Sequence, residues 1–551
     1  MTRLLLELDL TRGLAVAPPQ DLLGRVQAAR TPTPSGLVKA LADAAEDPDV
    51  HGLVAKLGGE RLGLAQAQEL AEAVRAFRAA GKRTWAWAET FGEGGSGTPS
   101  YLLAAEFDEV WLQPSGEVAL TGVAVEAIFL RGLLDKAGVE PQLGQRREYK
   151  NAADVLLRTG FTDAHREASQ ALADSAQEQV VSAVASGRGM APDAVSAVVE
   201  RAPVPAADAR SAGLVDRLGY RHEVYAAARR HAGGEVRLRY LTAYRRRHRP
   251  VEIARQQWQR RRQGVVALVH AVGEIRLGRS GRGLRGPALG SDTLTAALRA
   301  AGRDESVRAV LLRVDSPGGS YVASDTMWAE IGALRARGTP VVVSMGALAA
   351  SGGYFIACVA DHVVALPSTL TGSIGVLGGK PVIAELLSRA GIGTDAAVAG
   401  RHARMSSLRT PYTDEEWQHL QDTLDRIYAD FVGKVAVGRG MTVQQVDHVA
   451  RGRVWTGADA LRRGLVDELG GLRRAADVAR SRAGLPADAP LRPYPHVPLV
   501  RQLRRPRSSE DAAAADVALT GLPELVTGTA GLLSALGIGP GTELLMPPVR
   551  I

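Results

Sequence analysis

Cysteine is almost absent from this 551-residue chain, which has only Cys358. A single thiol excludes a disulfide framework and a zinc site built on cysteines. Aromatic residues are 5% of the chain, too sparse for a base-stacking nucleic-acid platform. No run of 18 apolar residues occurs, so no membrane-spanning helix is expected. Lysine is scarce as well. The seven are Lys39, Lys56, Lys82, Lys136, Lys150, Lys380 and Lys434, and the other 60 of the 67 basic residues are arginine. That skew, with a net charge of +8, reads as genome composition rather than a nucleic-acid footprint. It also limits chemistry. Arginine keeps its proton in proteins, whereas a buried lysine can lose it, so an amine base has seven candidates.

What remains is ordinary globular composition, 46% hydrophobic and 23% charged, in a chain long enough for two to four domains. Leu4, Leu6, Leu8 and Leu10 alternate with polar Glu7 and Asp9, which suggests a strand rather than a signal peptide. Short apolar runs at Val265–His270, Ala309–Val314 and Pro340–Ser344 read as buried strands. Ser324–Arg337 reads as a helix stopped by Gly338. Strands alternating with helices imply an α/β fold with a mainly parallel sheet.

The chain also repeats itself. Tyr101–Ser115 matches Tyr354–Ser368 at an offset of 253, with Tyr, Ala, Asp, Val, Pro and Ser coinciding. Gly122-Val123 pairs with Gly375-Val376 and Ala137-Gly138 with Ala390-Gly391 at the same offset. Two tandem copies of one domain follow, with expected bounds 1–236 and 264–500. Between them, 237–263 carries Arg245-Arg-Arg-His-Arg249 and Arg260-Arg-Arg262 and is expected to be a basic linker helix. Such a segment is a solvated connector or a contact for anionic lipid. Residues 501–551 read as a flexible C-terminal tail. Its apolar part, Val517–Leu545, is interrupted by glycine and proline and suits packing or peripheral contact rather than a span.

Two loops of the second copy could carry chemistry. In Asp315-Ser-Pro-Gly-Gly-Ser320, paired glycines let backbone amides approach a ligand and hold an oxyanion, although a plain turn has the same appearance. In Met345-Gly-Ala-Leu-Ala-Ala-Ser-Gly-Gly-Tyr354, Ser351 stands at a strand-to-helix junction, as a nucleophile or merely as a helix cap. A serine nucleophile needs a base. His270 and His362 read as structural, which leaves lysine as the partner type.

Val314-Asp-Ser-Pro-Gly-Gly319, Ala349-Ala-Ser-Gly-Gly-Tyr354 and Leu370-Thr-Gly-Ser-Ile-Gly-Val376 together resemble the signal peptide peptidase A family of serine proteases, peptidase S49. The resemblance covers about residues 1–500 and is to the long, duplicated bacterial form. It implies two Clp/crotonase-like domains and a Ser-Lys dyad needing no metal or cofactor. By motif match, Ser351 is the nucleophile; Gly318, Gly319 and Gly352 are oxyanion donors, and Ser373 contacts the lysine. The base would be Lys150, in Glu148-Tyr-Lys-Asn-Ala152, with Lys380 the second candidate.

The repeat agrees with this division. Position 403 of the second copy is alanine, so that copy lacks the lysine. Thr98 in Gly97-Thr-Pro-Ser100 occupies the serine position of the first, and its Gly58-Gly59 lacks the preceding Ser-Pro. The resemblance further implies extended apolar peptides as substrates, such as signal-peptide remnants, and a homotetramer. The expected location is cytoplasmic or peripheral at the cytoplasmic membrane. A crotonase-like acyl-CoA enzyme and a non-catalytic membrane-associated scaffold are the alternatives.

Overall fold

The computed structural model describes residues 3–11, 13–15, 32–58, 62–93, 95–233, 235–244, 264–283, 286–494 and 541–545. The first copy is built on a six-stranded parallel sheet. Its order is Arg217–Leu218, Glu109–Leu112, Arg83–Ala88, Val50–Lys56, Arg3–Asp9, Val236–Tyr240. The N-terminal alternation does form a strand, but both of its faces are covered. Leu6 and Leu8 join the main core, while Leu5 packs with Trp85, Trp111 and Tyr225 on the other side. Burial on both faces is the rule for parallel sheets, whose crossover helices lie on either side.

Residues 237–240, expected to open a linker helix, are strand instead, paired in parallel with Arg3–Glu7. Val236, Leu238 and Tyr240 alternate with Arg237 and Arg239, a period of two that outweighs the local charge. The rest of the basic segment, 245–263, lies outside the described residues.

The second copy has an eight-stranded sheet running Val454–Thr456, Leu370–Gly372, Val341–Ala350, Val307–Ser316, Val265–Val272, Leu491–Tyr494, with His362–Ala365 and Glu468–Leu469 branching from it. Its pairings are parallel except Leu370–Gly372 with Val454–Thr456. All three expected strands are present. The third is longer than expected and runs to Ala350, immediately before Ser351. The stretch 345–350, expected to be loop, stays in the sheet because Leu348–Ala350 pairs with Leu370–Gly372. The expected helix spans Tyr321–Ala336, and Gly338 takes a left-handed φ of 83° just past its end.

The duplication is visible in matching parts. Helices Asp163–Arg188 and Asp414–Arg439 are both 26 residues long. The hydroxyls of Thr162 and Thr413 cap them, and Gly189 and Gly440 end them in the left-handed region. Tyr101 donates to the Leu214 carbonyl at 2.7 Å, and Tyr354 to the Leu465 carbonyl at 2.8 Å. The molecule is thus two tandem α/β units with mainly parallel sheets. No helix among the described residues is long and apolar enough to cross a membrane.

A third, mixed sheet joins the copies. Its order is Gly281–Gly283, Gly286–Gly290, Glu274–Arg276, Gly318–Ser320, Gly541–Leu545, Leu377–Val382, Glu140–Gln145. Glu140–Gln145 belongs to the first copy and runs antiparallel to Leu377–Val382 of the second, so its last residue pairs with Leu377. Residues 541–545, expected to be part of a flexible tail, are a strand of this sheet. The rest of that tail, 501–540 and 546–551, lies outside the described residues.

Candidate active site

Ser351 ends a buried strand and begins the helix Gly352–Ala357. Its own φ is 53° with ψ −115°, a conformation that an L-residue adopts only under constraint. The constraint is visible. Its amide donates to the Gly372 carbonyl at 2.8 Å, and its carbonyl accepts from the Phe355 amide at 2.8 Å. The side chain makes no helix-capping bond. Oγ instead meets Lys150 Nζ at 2.8 Å.

Lys150 arrives from the other copy. The pairing of Glu140–Gln145 with Leu377–Val382 brings the chain to the site. The Arg146 amide donates to the Val376 carbonyl at 2.9 Å, and the Arg146 guanidinium reaches Asp425 Oδ2 at 3.0 Å. The flanking residues are tied down too. Glu148 pairs with Arg451 at 2.9 Å, and the Tyr149 hydroxyl donates to Glu167 at 2.8 Å. Lys150 itself is fully buried. Two glycines make room for it. A Cβ on Gly375 would lie 3.1 Å from Lys150 Cδ, and one on Gly452 would lie 2.5 Å from its backbone nitrogen. Gly452 was not legible as a site residue, since it sits in no motif.

The Lys150 nitrogen has three partners: Ser351 Oγ at 2.8 Å, Ser373 Oγ at 3.0 Å and the Ser373 carbonyl at 3.0 Å. None carries a formal charge. Burial therefore acts unopposed and holds the Lys150 amine well below the usual lysine value of 10.5. Ser373 also has a positive φ, of 51°, and its amide donates to the Arg453 carbonyl at 2.7 Å. Gly452 and Arg453 thus brace the lysine and its serine partner from one turn.

The glycine loop lies against the serine turn. A Cβ on Gly352 would come 3.1 Å from Gly318 Cα and 3.2 Å from the Gly319 nitrogen. One on Gly353 would come 2.6 Å from the Ser316 carbonyl. Gly318 and Gly319 have φ of 102° and 150°, which favour glycine. The Gly318 amide donates to Ser316 Oγ at 3.2 Å. Asp315, one residue earlier, is buried and its carboxyl is pushed up to about 6, mainly by desolvation, with Arg313 opposing. It lies in the glycine-loop motif, which gave it no role.

The six sequence-derived residues, Lys150, Gly318, Gly319, Ser351, Gly352 and Ser373, therefore converge. Lys380 does not join them; its Nζ donates to the Met405 carbonyl at 2.7 Å and lies over the Tyr412 ring. His362 faces Glu468 at 3.4 Å, in the strand between Val341–Ala350 and Glu468–Leu469. His270 is pushed down to about 4 by desolvation and Arg313. In the first copy, Thr98 Oγ1 accepts from Ser96 at 3.0 Å, and Gly58 keeps a φ of 101° without the chemistry around it.

Comparison with known proteins gives the family. The profile of Peptidase family S49 matches residues 76–235 and 333–486, once per copy. The chain belongs to peptidase family S49. It is 30% identical over 511 residues to the chloroplastic serine protease SPPA of Arabidopsis thaliana, covering 91% of this chain and 72% of that one. It is 32% identical over 464 residues to Protease 4 of Salmonella typhi, covering 81% and 72%. Protease 4 of Haemophilus influenzae is 31% identical over 480 residues, covering 84% and 75%. The S49 chain described here is a serine protease.

Proposed function

We propose that this S49 protease is an endopeptidase that cleaves extended, apolar peptides, including signal-peptide remnants, through a Ser351–Lys150 dyad split between its two copies. The observation that carries the reading is the 2.8 Å contact between Lys150 Nζ and Ser351 Oγ, with the amine fully buried and no anion beside it. A neutral amine has two N–H donors and one lone pair. The Ser373 carbonyl can only accept, so it takes one N–H, and Ser373 Oγ takes the other. The lone pair is left for the Ser351 hydroxyl proton.

In the proposed cycle, Lys150 removes that proton as Ser351 Oγ attacks the scissile carbonyl. The tetrahedral oxyanion is held by the amides of Gly319 and Gly352. The Gly318 amide, engaged with Ser316, shapes the loop. Lys150 next passes its proton to the leaving amine. Water, deprotonated by the same amine, then releases the acyl-enzyme. Ser373 keeps the amine pointed at Ser351. The strained φ of Ser351 keeps its hydroxyl clear of the helix it precedes.

The test is hydrolysis of a fluorogenic apolar peptide by the Ser351→Ala, Lys150→Ala and Lys150→Arg chains. All three should lose activity by several orders of magnitude. Arginine should fail like alanine because it stays protonated. Wild-type rates in any of them would sink the dyad.

A further inference from the structure

The connection between the helices Ala384–Arg389 and Asp414–Arg439 is long and irregular. Residues 390–413 form turns, with no helix or strand. Connections longer than about 12–15 residues without regular structure are uncommon in compact domains and usually carry a function. This one is tied to the sheet that joins the copies. Lys380 Nζ donates to the Met405 carbonyl at 2.7 Å, the Ile383 amide to the Leu408 carbonyl at 2.8 Å, and the Tyr412 amide to Gln142 Oε1 at 2.8 Å.

Its middle meets the start of the long helix. One ligand atom each from His402, Glu415 and His419 lie within 4.8 Å of one another. Glu415 and His419 are four residues apart on the helix and share a face, while His402 comes from the connection. Two imidazoles and a carboxylate are a donor set for zinc. Tetrahedral zinc bonds of about 2.0–2.2 Å put donor atoms roughly 3.3 Å apart. His402 Nε2 already stands 3.8 Å from Glu415 Oε1. Glu415 and His419 are exposed, so small rotamer changes close the remaining gap. Arg401 Nη1 contacts both Glu415 oxygens at 3.0 Å, but the guanidinium is 76% exposed. An ion pair so open to water is worth little and yields to a metal.

The far side of His402 distinguishes a built site from a chance encounter. Nδ1 is buried without a hydrogen-bond partner and faces Glu416 Oε1 at 3.7 Å. A histidine that ligates through one nitrogen almost always offers its other N–H to a carboxylate or carbonyl, which fixes the tautomer and the direction of the ring. Glu416 stands where that carboxylate belongs. It is itself held in place, with a side chain 6% exposed and Oε2 accepting from the Thr413 amide at 3.0 Å.

We propose that His402, Glu415 and His419 bind one zinc ion, with water completing its shell and Glu416 orienting His402, and that the ion staples the 390–413 connection to the head of the helix. The site takes no part in the Ser351–Lys150 chemistry and does not depend on the peptidase reading.

The test is calorimetric titration of the full-length chain with zinc chloride, after chelator treatment and removal of the chelator. One equivalent should bind, and the melting temperature should rise with zinc. His402→Ala and His419→Ala should each weaken binding at least about tenfold and abolish the thermal gain. Both should melt like the parent in zinc-free buffer, so that a lost response is not lost folding. Glu416→Gln keeps the helix cap, because glutamine serves at that capping position, yet should weaken zinc by about tenfold through loss of the carboxylate behind the imidazole. Magnesium, which prefers oxygen ligands, should give no comparable binding.

A second measurement reads the staple itself. Trypsin cleavage after Arg401, Arg404 and Arg409 should slow several-fold with zinc in the parent but not in the His402→Ala, His419→Ala double variant. Cleavage unaffected by zinc would overturn the staple even if the ion bound. No saturable zinc uptake by the parent, or uptake unchanged in the double variant, would overturn the site. In the latter case the ion would sit elsewhere among the 11 histidines.

Discussion

Burying the Lys150 amine costs the protein stability, and in the proposed dyad that same burial makes the amine a base. A fully buried amine without a counter-ion favours its neutral form, and the native lysine releases its proton well below 10.5. The unfolded lysine holds its proton up to about that value. Between the two pKa values the unfolded chain binds more protons, so stability rises with pH across that window. Each unit of depression corresponds to about 1.4 kcal/mol. Lys150→Met removes this dependence but strands the polar groups of Ser351 and Ser373, at a cost of about 1–3 kcal/mol. The two effects oppose, so the slope is the informative quantity. Thermal melts at stepped pH should find the wild-type chain gaining on Lys150→Met as pH approaches 10.5, with no activity in the variant. Melting temperatures that ran parallel over the whole range would mean an unperturbed lysine. The rate should follow the same proton: kcat/KM rises with pH through the depressed pKa and then levels.

At the scale of elements, the site depends on turns that leave no room for a side chain. Gly452 has a φ of 82°, and a Cβ there would fall 2.5–2.6 Å from the Lys150 nitrogen, Cα and Cβ. Gly452→Ala should therefore push the lysine away from Ser351. A misplacement of about 1 Å can cost on the order of 100-fold in rate. The expected signature is a fall in kcat at a near-constant KM, with the pH profile shifted as Lys150 gains solvent. An unchanged kcat would mean that the turn gives way elsewhere. The same contact explains what could be read in the chain beforehand. Ser351, Lys150 and the two glycine loops lie in motifs whose spacing survives in one dimension. Gly452 is legible only once Lys150 is beside it, because its role is a distance between residues some 300 positions apart. The strand at 237–240 and the extension to Ala350 were obscured for a similar reason: charge and small residues suggested a linker and a loop until their pairing partners were known. The strand 541–545 has no partner near it in sequence at all.

On the scale of the whole molecule, the proposed dyad depends on the docking of one copy on the other. Much of that docking is polar and buried. Glu69 of the first copy meets Arg313 of the second at 2.7 Å, with side-chain exposures of 2% and 9%. Glu69 also accepts from the Leu472 amide at 3.0 Å, and Arg313 donates to Ser344 at 2.9 Å. Arg313 lies in the strand that leads to the glycine loop, so this pair connects the docking surface to the oxyanion side of the site. Removing one member of a buried pair typically costs about 3–5 kcal/mol, because the other charge is left without compensation, whereas replacing both by apolar residues of similar size is often neutral. Glu69→Leu alone should therefore lower the melting temperature sharply and reduce kcat/KM, as Lys150 loses its fixed approach to Ser351. Glu69→Leu with Arg313→Met should recover most of the stability, and with it part of the rate. The recovery should be incomplete, since Arg313 also holds down the pKa of Asp315. A cycle of the four chains, followed by denaturant melts and peptide hydrolysis, measures the coupling directly. If the single variant melted and turned over like the parent, the strand pairing at Glu140–Gln145 and the Arg146 and Glu148 contacts would hold the two copies in register without the buried pair, which would then be incidental to catalysis.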